Sequence, residues 1–133
     1  MEINKLPLPR RRKMAKILLA EDDPTMLSLL RTLLTMEGFQ VIDLVSTEED
    51  ILEVVRREKP DVVLLDVHLP KHNGLDVLRS LRQSEDINQT KVVMSSGMNL
   101  KVECMAEGAD DFLLKPYMPD ELIDMIKRQL DLI

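Results

Sequence analysis

Cysteine is nearly absent: Cys104 stands alone among 133 residues, so no internal disulfide can form. Together with nine methionines, that fits a reducing compartment, and the cytoplasm is the expected location. Long apolar runs are also missing. None exceeds four residues, whereas a membrane-spanning helix needs roughly 18 to 20. Four glycines and seven prolines are too few for a collagenous or disordered chain. What is present, 44% hydrophobic and 32% charged residues in 15.3 kDa, describes one soluble globular domain able to build a core. A two-domain enzyme is excluded.

Positive charge is scarce where a nucleic-acid module would need it. The net charge is -6, but residues 1–13 carry Lys5, Arg10, Arg11, Arg12 and Lys13 against Glu2, leaving about -10 on the rest. A body of that sign repels phosphates, so direct nucleic-acid binding is not expected. Residues 1–13, with Pro7 and Pro9, read as a flexible basic leader, and residues 14–133 as the folded domain. The arginine run is not an export signal, because Lys16, Glu21, Asp22 and Asp23 interrupt the apolar stretch such a signal requires.

From residue 16 onward, short apolar runs alternate with segments of helical period, the pattern of repeated strand-helix units around a parallel sheet. Strands are expected at Lys16–Ala20, Phe39–Leu44, Asp61–Leu65, Lys91–Ser95 and Asp110–Leu114. Helices are expected at about 24–37, 47–58, 73–84, 99–107 and 118–131. Asp23 before Pro24 reads as an N-cap, and Ser46-Thr47-Glu48-Glu49 as a capping box. Gly38 and Gly108 stand where a helix ends in a left-handed residue.

The chemistry-bearing residues cluster just past strand ends: Glu21 and Asp22 after the first, Asp66 after the third, Ser96 after the fourth, Lys115 after the fifth. In a parallel sheet those ends share one edge, the edge at which open α/β sheets bind ligands. Carboxylates gathered there repel one another unless a cation sits among them. Oxygen-only ligands suit Mg²⁺ or Mn²⁺, and Mg²⁺ typically adds a phosphate to one or two carboxylates. Asp66 then reads as a nucleophile, Lys115 as a neutralising cation and Ser96 as a hydrogen-bond donor to a phosphoryl oxygen. Asp23 is accounted for as a cap. His68 and His72 have a helical zinc spacing, but Pro70 and Gly74 argue for a loop around them, and solvent-facing polar residues are the better reading. Cys104 reads as a small core hydrophobe.

Four segments in order resemble the receiver domain of two-component response regulators: Met14-Ala-Lys-Ile-Leu-Leu-Ala-Glu-Asp-Asp-Pro24, Asp61-Val-Val-Leu-Leu-Asp66-Val-His-Leu-Pro-Lys-His-Asn-Gly74, Met94-Ser-Ser-Gly97, and Gly108-Ala-Asp-Asp-Phe-Leu-Leu-Lys-Pro116. The resemblance runs from Lys16 to about Leu130. It implies a flavodoxin-like (βα)5 three-layer sandwich with a parallel five-stranded sheet of order 2-1-3-4-5. It further implies phosphotransfer to Asp66 from a histidine kinase or histidine phosphotransfer protein, with metal held by Asp22, Asp66, the backbone carbonyl of His68 and Glu21, directly or through water. Lys115-Pro116 is expected to be cis. Phe112 falls where the family keeps an aromatic switch residue that turns inward as the Ser96 hydroxyl moves toward phosphate. His68 and Met98 occupy the positions flanking the path of hydrolytic water, and neither suits it, which implies slow self-dephosphorylation.

One departure stands out. Between Ser96 and Gly108 the chain is about three residues shorter than usual receivers, close to one helical turn. The shortening falls on the family's usual output face, which bears on partner or homodimer geometry. The chain thus reads as a phosphorylation switch rather than a metabolic enzyme, acting on a downstream protein effector or a fused output domain. Two alternatives compete. A haloacid-dehalogenase-like aspartyl phosphatase wants a second Asp two positions after the nucleophile, where His68 stands. A phosphorylation-independent receiver-like scaffold would not need the complete set of chemical residues.

Overall fold

A computed structural model describes residues 14–44 and 49–133. The expected leader, and most of the expected capping box at 46–49, lie outside the described residues. In chain order the elements are β1 (Lys16–Ala20), α1 (Pro24–Met36), β2 (Gln40–Asp43), α2 (Ile51–Glu58), β3 (Val62–Asp66), β4 (His68–Leu69), β5 (His72–Asn73), α3 (Gly74–Gln83), β6 (Lys91–Ser96), α4 (Lys101–Ala106), β7 (Asp111–Leu114) and α5 (Pro119–Gln129).

Five strands make one sheet in the order β2-β1-β3-β6-β7, every pairing parallel. Counting only these five, the order is the expected 2-1-3-4-5. β3 is buried at all five positions because helices cover both faces of the sheet, which is why its sequence shows no polar alternation. The period of two along each strand sorts the core into two layers. Leu18, Ala20, Val63, Leu65, Val92 and Met94 pack with Ile51, Val54 and Val55 of α2, Leu78 and Leu81 of α3, and Cys104 of α4. On the other face, Ile17, Leu19, Val62, Leu64 and Val93 meet Leu30 and Leu34 of α1 and Leu122, Met125 and Ile126 of α5.

Helix ends follow the expected chemistry with one difference. Asp23 caps α1, its Oδ1 accepting from the Thr25 and Met26 amides at 2.9 and 3.2 Å. Gly38 and Gly108 have φ of +96° and +102°, a region closed to most side chains. The second helix, expected from residue 47, starts at Ile51, where the Asp50 side chain accepts from the Leu52 amide and acts as the cap. Between β3 and α3 a two-residue antiparallel ladder pairs His68 with Asn73 and Leu69 with His72, so neither histidine is on a helix.

Between Ser96 and Gly108 the chain forms α4, which is six residues long. Its C-terminal end is held by Arg82 of α3, whose guanidinium donates to the carbonyls of Gly108, Asn88 and Thr90 and to Asp110 Oδ2, at 2.7 to 3.0 Å. Asp110 Oδ2 also accepts from the Val92 amide at 2.8 Å, which ties the start of β6 into the same network.

Candidate functional site

The sheet register puts the ends of β1, β3, β6 and β7 side by side: Ala20 faces Leu65, Asp66 faces Ser95, and Ser96 faces Leu114. Glu21, Asp22, Asp66, His68, Ser96 and Lys115 each stand at, or one or two positions past, one of those ends, whereas Phe112 lies inside β7. Asp66 closes β3 and is only 5% exposed. Its Oδ1 accepts from the His68 amide at 3.1 Å, and its Oδ2 from Lys115 Nζ at 2.7 Å. That ammonium also lies 3.0 Å from Glu21 Oε1, an ion pair without hydrogen-bond alignment. Burial alone would lower the Lys115 pKa, but the carboxylates of Asp66 and Glu21 outweigh it and hold the pKa above the usual lysine range. Lys115 is therefore a fixed cation, carried into place by the bond from its amide to the Ser96 carbonyl (2.8 Å) and followed by a cis peptide to Pro116.

Glu21 is buried and Asp22 exposed, and both precede the residue that caps α1. The cap holds Glu21 in turn, because the Asp23 amide donates to Glu21 Oε2 at 3.1 Å. Glu21, Asp22 and Asp66 each offer a carboxylate oxygen, and these atoms lie within 4.8 Å of one another. Three carboxylates against the Lys115 ammonium leave a formal charge of -2. Hard oxygen donors with that residual charge fit Mg²⁺ or Mn²⁺. Among the described residues this is the only cluster of three or more such ligands, and neither His68 nor His72 belongs to it.

Ser96, at the end of β6, is fully buried, and its Oγ accepts from the Met98 amide at 3.0 Å. That bond fixes the oxygen and leaves the hydroxyl proton available to donate. Phe112, opposite Met94 on β7, shares with it the face toward α2, α3 and α4, and Ser96 follows two positions later on β6. At 8% exposure its ring is already packed inward. His68 and Met98 are exposed, Met98 to 60%.

Two residues of the site had been given no site role from the sequence. Gly74, at the start of α3, donates its amide to the Val67 carbonyl at 2.7 Å and presses against the Asp66 backbone. Tyr117 is 7% exposed, and the charges acting on its hydroxyl are those of Glu21, Lys115 and Asp66. Its nearness depends on the turn after Pro116, which no spacing rule reveals.

This arrangement matches known proteins along most of its length. Residues 17–127 match the family model described as the response regulator receiver domain. The chain is 44% identical over 119 residues to the transcriptional regulatory protein CpxR of Escherichia coli (strain K12), covering 86% of this chain and 48% of that protein. It is 34% identical over 115 residues to the DNA-binding response regulator MtrA of Mycolicibacterium smegmatis, covering 86% and 50%. The chain thus spans about half the length of the curated relatives it matches. Among solved structures, the BeF3-activated N-terminal receiver domain of Klebsiella pneumoniae RstA superposes with a TM-score of 0.77 at 30% identity, over 86% of this chain and 97% of that one. The receiver domain of the Francisella response regulator 1452 gives 0.80 at 28%, over 88% and 97%.

Proposed function

The chain belongs to the response regulator receiver domain family, and from that premise we propose that it is a two-component signalling switch whose Asp66 accepts a phosphoryl group from a phosphohistidine. The observation that carries this reading is the state of Asp66: a buried carboxylate with one oxygen on the His68 amide and the other 2.7 Å from Lys115 Nζ. A lone pair of that carboxylate attacks phosphorus in line, the P–N bond to the donor imidazole breaks, and the imidazole leaves with a proton taken from water. Lys115, held cationic by its neighbours, neutralises charge on the transferring group. Ser96 donates its free hydroxyl proton to a phosphoryl oxygen.

Glu21, Asp22, Asp66 and the backbone carbonyl of His68 are the proposed holders of Mg²⁺ or Mn²⁺. When bound, the ion offsets the charge of the carboxylates and of the incoming phosphate. The Ser96 hydroxyl and Phe112 are the proposed switch pair, in which a pull on Ser96 repacks the face around α4. The donor would be a histidine kinase or histidine phosphotransfer protein in the cytoplasm. The readout would be a protein effector or fused output domain, since the acidic body does not favour direct contact with nucleic acid.

Phosphoryl transfer from a labelled phosphohistidine protein tests this. Label should pass to the wild type only with divalent metal, and should fall sharply in Asp22→Asn at limiting Mg²⁺. Transfer that persists in chelator would overturn the metal-assisted reading. Undiminished transfer in Asp22→Asn would remove that residue from the ligand set.

A further inference from the structure

The two ends of α4 are held very differently. Past its C-terminal end, the Arg82 guanidinium donates to the Gly108 carbonyl at 2.8 Å, to the Asn88 and Thr90 carbonyls before β6 at 3.0 and 2.7 Å, and to Asp110 Oδ2 at 2.9 Å. Asp110 Oδ2 also accepts from the Val92 amide at 2.8 Å, so one ion pair fastens α3, the start of β6 and the turn into β7. The two side chains are 21% and 25% exposed, which shields these charge-assisted bonds from most of the water that weakens surface ion pairs. The turn is also tightly packed: a β-carbon on Gly108 would come within 3.1 Å of Arg82 Cγ. The Ala109 amide donates to the Cys104 carbonyl at 3.0 Å, and the Cys104 side chain is buried against the sheet.

The N-terminal end has much less to hold it. Leu100 precedes α4 without a side-chain cap, and it is only partly buried. Gly97, Met98 and Asn99 are exposed. The Lys101 amide reaches Asn99 Oδ1 at 3.4 Å, longer than a well-formed bond. The firm tether of this stretch is the Met98 amide on Ser96 Oγ at 3.0 Å, and that oxygen belongs to the residue a phosphoryl group would draw toward itself.

A pull on Ser96 thus acts on the loosely held end of α4 and meets a dense hydrogen-bonded cluster at the other. Resting on the phosphoacceptor reading, we infer that Arg82, through Gly108 and Asp110, is the fixed pivot of the switch. Phosphorylation of Asp66 moves the segment from Gly97 to Val102, while the Gly108 end stays where Arg82 holds it. Arg82 touches neither metal nor phosphate and is a positioning residue. The readout is restricted accordingly: exposed Met98 and Val102 travel, exposed Leu114 on β7 does not, and a partner would sense the change between them.

Cys104 is the single cysteine, so Cys104→Ala gives a background free of other thiols. Val102→Cys or Ala106→Cys, both at exposed positions, then carries a spin label paired with a reference label on Thr35→Cys, exposed on α1. Distances are read by pulsed electron resonance before and after treatment with a small phosphodonor and Mg²⁺, with Arg82 kept and in Arg82→Lys. Lysine retains the charge but lacks the planar fork that spans several acceptors. With Arg82 in place, phosphorylation should shift the distance from residue 102 and leave that from residue 106 unmoved. In Arg82→Lys both should shift. A merely structural Arg82 would lower the denaturant midpoint of the variant and leave residue 106 unresponsive to phosphorylation.

If mass analysis finds Asp66 labelled in the Arg82 protein and both distances shift, or neither does, this inference is overturned alone, whether or not the variant folds. A residue 106 distance that stays put in folded, phosphorylated Arg82→Lys overturns it too. If Asp66 takes no phosphoryl group, the phosphoacceptor reading falls and this inference with it.

Discussion

Gly74 sits so close to Asp66 that a β-carbon on it would lie 2.5 Å from the Asp66 carbonyl oxygen and 2.7 Å from the Val67 Cα. Both obstacles are backbone and cannot swing aside as a side chain would. The hydrogen bond from the Gly74 amide to the Val67 carbonyl is what draws α3 that near. Gly74→Ala must therefore move either α3 or the strand end carrying Asp66. We expect a loss of about 1–3 kcal/mol in urea unfolding, the usual range for overpacking, together with slower phosphoryl uptake. An unchanged midpoint and uptake rate would mean that the contact is relieved without cost.

The Tyr117 hydroxyl is pushed up to about 12 by burial first and by the Glu21 charge second, from an ordinary value of about 10. The folded state thus holds this proton more tightly than the unfolded chain. The associated stability is present below pH ~10 and is lost as pH rises from there toward 12. Ultraviolet titration of tyrosinate reads this one residue directly and should give a midpoint near 12 in the folded protein. The stability difference between wild type and Tyr117→Phe should shrink over the same interval.

Loss of phosphate should be slow and should depend on His68 and Met98. An acyl phosphate is hydrolysed by water in line with the P–O bond, and the Met98 amide, bonded to Ser96 Oγ, fixes that residue at the rim of the site. Its side chain is apolar and cannot orient water, and the His68 imidazole does so poorly. Met98→Ala should open the path, and His68→Glu should position the water, each raising the decay rate by about tenfold or more. Decay of the phosphoprotein followed by mass decides this. Rates unmoved by either change would show that both side chains face only solvent.

The sheet was legible because most of its strands carry short apolar runs bounded by polar or turn residues, as in Val62–Leu65 between Asp61 and Asp66. Convergence at one edge followed from parallel topology, so Glu21, Asp22, Asp66, Ser96 and Lys115 could be named without coordinates. The β4–β5 ladder was not legible, because two-residue strands are too short to display a period. The start of α2 was displaced because several nearby polar residues could cap it, and Asp50 does. Gly74 and Tyr117 were given no site role for another reason: a glycine that opens a helix and a residue after a proline turn acquire meaning only when the fold brings them against the site.

Intact-mass analysis after incubation with a small phosphodonor, with fragmentation to locate the modification, tests the central claim most directly. The account predicts a gain of one phosphoryl group on Asp66 of the wild type, dependent on Mg²⁺ or Mn²⁺ and absent from Asp66→Asn. A phosphoryl group found elsewhere in the chain, or the same gain in Asp66→Asn, would contradict it.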